Sequence, residues 1–151
     1  MTDLTTSESA GVLRNNYNGH LAYISQGRPY VIPVTFYFDA TDNSIISYSA
    51  EGHKIDAMRT NPSVSLVAEQ IYSLVNWKSV LIHGTYEELK GSLAKQKLHE
   101  FTEGIKKIIR QKEHKEVAFI NEFSSKLYAR GGTPVTYRIK ILEVTGKRRE
   151  A

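Results

Sequence analysis

A basic pair of residues, His53 and Lys54, lies directly after a short polar turn and at the start of a segment with the pattern of a helix. The stretch reads SYSAEGHKIDAMRTNP from Ser47, and Asn61-Pro62 ends the helix. The start of a helix carries free backbone amides and the positive end of the helix dipole, so it favours anions. The pair is therefore either solvated or part of a binding site for an anion such as a phosphate.

Three neighbours of the basic pair would suit a phosphate site. Tyr48 and Ser49 would supply hydroxyl donors, and Gly52 would let the backbone come close to a ligand. The alternative is that Ser49 only caps the helix while Lys54 extends into water. Because short polar turns are common, the spacing by itself favours this alternative.

Other kinds of catalytic site find little support in the sequence. Cysteine is absent, which excludes disulfides, thiolate metal sites and a cysteine nucleophile. Neither a Gly-x-Ser-x-Gly elbow nor a Gly-x-x-x-x-Gly-Lys loop occurs, which weakens hydrolase and nucleoside triphosphatase hypotheses. The histidines have no metal-binding spacing, so we expect no metal site. They are His20, His53, His83, His99 and His114.

The length and charge of the chain limit the class of protein. With 151 residues, 40% of them hydrophobic, it fits one domain with a substantial core. The net charge of +4 favours an anionic ligand without identifying it. No apolar run reaches the length of a membrane span and the start resembles no secretory signal, so we expect a cytoplasmic protein with no membrane partner.

Apolar periodicity and turn residues predict six strands and three helices. Thr5 and Glu8 can form a capping box before a first helix near 6–16. A short helix is predicted at 55–59 and a long amphipathic one at 92–113, whose mixed charges indicate a solvated face and no nucleic-acid partner. Strands are predicted at 20–25, 30–38, 45–48, 64–68, 80–86 and 135–144, and the charged tail from Gly146 is expected to be loose.

The order of these elements predicts the fold class. Strands and helices do not alternate regularly, so a doubly wound parallel sheet is excluded. We expect a mainly β protein with helices (α+β), built as an antiparallel six-stranded barrel with the helices outside it.

Pro33 lies inside the second predicted strand, and both faces of that strand are apolar enough to be mostly buried. Proline cannot donate a hydrogen bond to a neighbouring strand. It therefore indicates a sheet edge, a bulge, or a place where something other than a strand lies alongside. A bound ligand would be such a neighbour.

Five segments together resemble the pyridoxamine 5'-phosphate oxidase-like family of split barrels that bind flavin mononucleotide (FMN). They are GHLAYIS, GRPYVIPVTFYFD, IISYSAEGHKIDAMRTNPSVSL, WKSVLIHGTYEEL and VTYRIKILEVTGK, and the likeness extends from about His20 to Gly146. The GHKID block with the following NP is its most specific part. The resemblance implies a split β-barrel that binds FMN as a homodimer, with two sites at the subunit interface.

The resemblance also implies which residues hold the phosphate end of the cofactor. Lys54 and its basic neighbour His53 would bind the flavin phosphate. Tyr48 and Ser49 would contact the flavin or its ribityl chain. Ser79 would meet the ribityl or phosphate region from a neighbouring strand.

At the other end of the cofactor, Pro33, Val34 and Thr35 would present backbone and side chains to the isoalloxazine ring. This placement would explain Pro33, because its missing amide is tolerated beside a flavin.

Two departures from the family pattern limit the substrate. Nothing after Gly131 matches the tryptophan- and arginine-bearing end of true pyridoxamine phosphate oxidases, which argues against that substrate. Tyr48 replaces the histidine typical of the nitroimidazole-resistance subgroup, which argues against nitro reduction.

Three functions follow from the sequence. The first is a flavoprotein that passes electrons or hydride to a small-molecule substrate, since flavin chemistry needs from the protein mainly placement and tuning of the ring. The second is a flavin carrier or sensor without turnover. The third is a basic binding module with no flavin. FMN is the expected cofactor, although relatives of this barrel also use a deazaflavin or haem.

Overall fold

The computed structural model describes residues 1–113 and 134–150, so His114 and Gly131 lie outside the described residues. Eleven helices and strands occur in these two ranges. In chain order they are β1 (Thr2–Asp3), α1 (Thr6–Arg14), β2 (Asn18–Ser25), β3 (Arg28–Thr35), β4 (Tyr37–Asp39), β5 (Ser44–Ser49), α2 (His53–Thr60), β6 (Ser63–Ser73), β7 (Asn76–Glu88), α3 (Gly91–Glu113) and β8 (Val135–Arg149).

The strands form one antiparallel sheet in the order β3-β2-β6-β7-β8-β5-β4, and β1 pairs with the end of β8. The two outer strands of this order, β3 and β4, are separated in the chain by a single residue, Phe36. The sheet must therefore curl until its ends approach each other. The Ser47 hydroxyl donates to the Thr35 carbonyl across this split at 2.7 Å.

The predicted fold class, a mainly β split barrel with helices, is confirmed. The described residues form eight strands where six were predicted, because β1 was not predicted and the predicted second strand divides into β3 and β4. The predicted second strand, 30–38, is divided at Phe36. Its amide donates to the Tyr17 carbonyl at 2.8 Å, and the chain then leaves β2 and pairs with β5.

Helix α1 begins with the predicted capping box. The Thr5 hydroxyl accepts from the Glu8 amide at 3.1 Å, and the Glu8 carboxylate accepts from the Thr5 amide at 3.0 Å. Val12 and Leu13 are buried on the inner side of the helix. None of the helices in the described ranges is long and apolar enough to cross a membrane.

The described residues form two apolar clusters that hold the helices to the sheet. The larger fills the barrel with inward side chains such as Leu21, Phe36 and Ile82. The smaller lies between β5 and α3, where Tyr48 packs under Phe101. The predicted apolar stripe of the long helix is thus confirmed, and α3 covers one side of β5.

The outward face of β3 carries Val31, Pro33 and Thr35, and all three are exposed. Val31 exposes 65% of its surface. The expectation that both faces of this strand are mostly buried is therefore wrong for the single chain. The reason is that no layer of the described residues covers this face, whereas the opposite face packs into the barrel.

The expectation of a loose tail from Gly146 is also wrong. Strand β8 continues to Arg149 and pairs with β7 on one side and β1 on the other. Lys147 forms an ion pair with Asp3, and Arg148 forms one with Glu8. Backbone pairing and opposite charges therefore order a segment whose composition alone indicates a solvated end.

Candidate functional site

Helix α2 begins without a side-chain cap. Gly52 is the N-cap residue and has no side chain to donate or accept. The Ser49 hydroxyl donates instead to the Ala50 carbonyl at 2.8 Å, so the alternative in which Ser49 caps the helix is wrong. A Cβ atom added to Gly52 would meet open space. Among the residues that the structure describes, the first amides of α2 thus lack the side-chain partner that most helices supply, and they lie next to open space where a ligand could enter.

Lys54 is the second residue of α2 and is half-buried. Burial lowers the pKa of its ammonium group from the ordinary value. Within residues 1–113 and 134–150, no hydrogen bond or ion pair engages this group. A half-buried charge without a partner is unfavourable, and an anion beside it would remove the penalty.

His53, the first residue of α2, lies against two aromatic rings from the hairpin of β2 and β3. Its Nδ1 is 2.9 Å from the Tyr23 hydroxyl oxygen. Its ring is tilted over that of Tyr30 with the centroids 4.8 Å apart, and Tyr30 stacks on Tyr23 at 5.4 Å. The imidazole therefore has a fixed position at the start of the helix.

The register of that hairpin brings the two tyrosines together. The chain turns over two residues, Gln26 and Gly27, both of which have positive φ. Tyr23 consequently lies opposite Tyr30. The sequence indicates a longer turn, from Gln26 to Pro29, which would pair different residues, so the tyrosine pair was missed.

The turn before α2 is held by ion pairs. Arg59 binds both carboxylate oxygens of Glu51, at 2.7 and 2.8 Å, and its Nε donates to Glu88 at 2.7 Å. Tyr86 donates to the same Glu88 oxygen at 2.9 Å. The hydrogen bond from Arg59, together with those from Lys90 and Tyr86, lowers the pKa of Glu88 to about 2. No sequence signal connects Arg59 with a residue eight positions earlier.

The predicted ring-binding residues lie at the edge of the sheet. Within the described chain β3 pairs with β2 alone, so the interpretation of Pro33 as an edge residue is confirmed. Pro33 and Thr35 project outward, whereas the Val34 side chain is buried in the barrel. Only the backbone of Val34 is therefore available to a ligand on the outward face.

Ser79 shares the outward face with Pro33. Pro33 pairs with His20, His20 with Val67, and Val67 with Leu81, so these four residues form one row across β3, β2, β6 and β7. Ser79 lies two residues from the end of that row and projects to the same side. Three strand spacings separate it from Pro33 in one chain.

Tyr48 lies elsewhere. Its ring meets the edge of Phe101 at 5.2 Å, on the face of β5 that α3 covers. Ser49, the next residue, projects to the opposite face of the strand. Ser49 ends β5, and His53 and Lys54 begin α2 after a three-residue turn, so the three residues lie close together in the chain. The role of Tyr48 stays a prediction.

Residues 5–148 match the sequence profile of the pyridoxamine 5'-phosphate oxidase family. An uncharacterised protein of Rhizobium meliloti is 36% identical over 86 residues, which are 57% of this chain and 56% of that protein. The chain thus spans about half the length of this curated relative.

Two solved structures resemble the chain over almost its whole length. A FAD-binding protein from Mesorhizobium loti has 27% identity and a TM-score of 0.73, with 99% of this chain and 98% of that chain covered. A 5-nitroimidazole antibiotic resistance protein from Bacteroides thetaiotaomicron, named as such only provisionally, has 13% identity and a TM-score of 0.70, with 96% and 85% covered. The second likeness shows the fold alone.

Proposed function

The chain belongs to the pyridoxamine 5'-phosphate oxidase family, and from that premise we propose that it binds FMN through the start of α2. The observation that carries the proposal is Lys54, a half-buried ammonium group without a partner in the described residues. A phosphate would restore the favourable interaction that burial has removed. The uncapped amides after Gly52 would share the negative charge.

The residues at the start of α2 fit a phosphate better than a neutral group. Lys54 brings a full charge, the first amides of α2 bring donors, and His53 brings a ring nitrogen. Glu51 is acidic and close to the site, but Arg59 binds both of its carboxylate oxygens, so its charge repels an anion less. The fixed charges near the site thus favour a dianion.

The flavin ring would lie along the outward face, beside Pro33, the backbone of Val34 and Thr35. Apolar side chains on the same face are exposed, including Ile24, Val31 and Ile71. Such a surface marks an interaction site. We therefore include a homodimer in the proposal, in which a second copy would cover this face and Ser79 would reach a cofactor at the interface.

FMN and FAD share the ring, the ribityl chain and the first phosphate, and the Mesorhizobium relative is a FAD-binding protein. Lys54 and the α2 amides recognise the part common to both. We propose FMN because the sequence resembles FMN-binding split barrels. The purified protein decides between them: its flavin is released by heat and identified by mass, and FMN is the expected result.

A bound flavin supplies transfer of a hydride or of single electrons. The chain would supply the fixed phosphate site, the apolar face and the hydroxyl of Ser49 near the turn. We propose an oxidoreductase that acts on a small molecule. The alternative is a carrier or sensor that binds flavin without turnover, since the side chains assigned to the ring, from Pro33 to Thr35, include no evident catalytic group.

Reduction of the flavin, seen as loss of its absorption band, distinguishes an oxidoreductase from a carrier or sensor. The flavin-loaded protein is mixed with NADH or NADPH without oxygen, and absorbance near the flavin band is followed. Rapid loss of the band, followed by its recovery on addition of a quinone or another acceptor, supports an oxidoreductase. A band that persists with every donor supports a carrier or sensor, and a protein that takes up no flavin overturns both.

A further inference from the structure

Tyr23 on β2 contacts His53 at the start of α2. The proposed phosphate site does not by itself require this contact. The Tyr23 hydroxyl lies 2.9 Å from Nδ1 of His53, which is the first residue of α2. Tyr23 is buried and its ring is stacked on Tyr30. The hydroxyl therefore has little freedom to move away from the imidazole.

The direction of this hydrogen bond decides what the histidine can offer to a ligand. A neutral imidazole carries one N–H donor and one acceptor nitrogen. Burial raises the pKa of the Tyr23 phenol, so the hydroxyl keeps its proton and remains able to donate. If it donates to Nδ1, the proton of His53 lies on Nε2, which has no partner within the described residues.

We propose that Tyr23 is a positioning residue that holds the His53 ring with Nε2–H directed to the anion at the start of α2. The inference rests on the proposed function, since the anion is the phosphate of the bound cofactor. Its consequence is that His53 donates a hydrogen bond to phosphate even when the imidazole is neutral. Without Tyr23, the ring would be free to turn and to present an acceptor nitrogen instead.

Other ionisable groups lie near His53, and their effects on FMN binding must be the same in the two proteins that the test compares. They come from β2, from β3 and from the segment of His53 itself: Tyr23, Tyr30, Glu51, Lys54 and Asp56. A variant that changes only the Tyr23 hydroxyl leaves the charges of the others in place. The cofactor phosphate also titrates in the same way with wild type and variant. The ratio of their FMN affinities therefore reports the contribution of the His53 ring.

The first experiment measures the dissociation constant of FMN for wild type and Tyr23→Phe, by flavin fluorescence, at roughly pH 5.5 and 8.5. Nitrogen-15 NMR establishes that the imidazole is protonated at the lower value and neutral at the higher one. When both ring nitrogens carry protons, either orientation donates, so we expect the two proteins to bind FMN alike at the lower pH. At the higher pH the variant binds about three- to ten-fold more weakly, the loss of one hydrogen bond. Equal ratios at both pH values would overturn the proposal, because a merely structural defect acts at both.

Two further variants serve as controls. Tyr30→Phe keeps the ring that packs against His53 and removes a hydroxyl that makes no hydrogen bond to His53 in the described residues, so no pH-dependent change is expected. In a His53→Ala background, the effect of Tyr23→Phe at pH 8.5 should vanish. A full effect in that background would mean that Tyr23 acts through another residue, which would also overturn the inference.

A second measurement needs no flavin. Nitrogen-15 NMR of the wild-type imidazoles at about pH 8.5, where histidine is neutral, distinguishes the two tautomers. An Nε2–H tautomer for His53 supports the inference, and an Nδ1–H tautomer overturns it. If the tautomer is Nε2–H but FMN does not bind, the positioning by Tyr23 stands and the proposed cofactor fails.

Discussion

Arg59, in the last turn of α2, binds both carboxylate oxygens of Glu51, which lies two residues before the first turn of the same helix. The pair joins the end of the helix to the turn that leads into it. The third contact of Arg59, to Glu88 on β7, fastens both to the sheet. The position of the α2 amides and of Lys54 thus depends on a residue that no ligand need touch.

Loss of the two-point contact should therefore weaken cofactor binding. Arg59→Lys keeps the charge but cannot bind two carboxylate oxygens and Glu88 together. We expect FMN affinity to fall about three- to ten-fold, as for loss of a charge-assisted hydrogen bond. Arg110→Lys, at an exposed position of α3, is the matched control and should leave the affinity unchanged. Equal affinities for wild type and both variants would show that the turn needs no such support.

Acid should remove the stabilisation that Glu88 provides. Hydrogen bonds from Arg59, Lys90 and Tyr86 lower the pKa of Glu88 from 4.5 to about 2, so the native state favours the ionised form. The contribution is complete above pH 4.5 and is lost as the pH falls towards 2. We expect Glu88→Gln to lower the free energy of unfolding by about 1 kcal/mol at neutral pH. In urea titrations this difference should shrink below pH 4.5. A difference that stays constant down to pH 2.5 would contradict the role of the carboxylate.

Lys54 should cost stability in the flavin-free protein. Burial lowers its pKa in the folded state below that of the unfolded chain, so the fold disfavours the charged form. The cost is complete at pH 7 and is relieved as the pH rises towards 10.5. Because solvent screens part of this cost for a half-buried group, we expect Lys54→Met to stabilise the flavin-free protein by only about 0.5 kcal/mol at pH 7, measured by thermal unfolding. A destabilised variant would mean that Lys54 has a favourable partner.

The sheet should tolerate no side chain at Gly84. A Cβ there would meet the Lys140 carbonyl oxygen and would lie 2.6 Å from Cγ2 of Ile139, on the paired strand β8. We expect Gly84→Ala to lower the free energy of unfolding by about 2–3 kcal/mol. Gly11→Ala, in α1 with open space around the position, should raise it by about 0.5–1 kcal/mol. Chemical denaturation of both variants checks the contrast, and a neutral Gly84→Ala would contradict the close packing of β7 on β8.

Local sequence signals predicted much of the fold. The capping box of Thr5 and Glu8, the helix end at Asn61-Pro62 and the apolar stripe through Phe101 depend on residues a few positions apart. The split of the second strand at Phe36 was not predictable, since it depends on a change of pairing partner. The ordered end of β8 depends on contacts with β1, at the other end of the sequence.

Part of the candidate site was likewise predictable from local signals, and part was not. The position of His53 and Lys54 at a helix start was predictable from local signals. Their role in phosphate binding came from the family resemblance and stays a prediction. The partner residues Tyr23, Glu88 and Arg59 were not, because their contacts span 8 to 30 positions of the chain. The cytoplasmic location and the single domain stay predictions of the sequence.

The phosphate contact of Lys54 is tested most directly by the preference for FMN over riboflavin, which differs from FMN only in lacking the phosphate. Dissociation constants of both ligands are measured for wild type, for Lys54→Met and for Lys107→Met, an exposed lysine of α3 that serves as the control. The account predicts that wild type and Lys107→Met prefer FMN and that Lys54→Met reduces this preference about ten-fold or more. An undiminished preference for FMN in folded Lys54→Met would contradict the account.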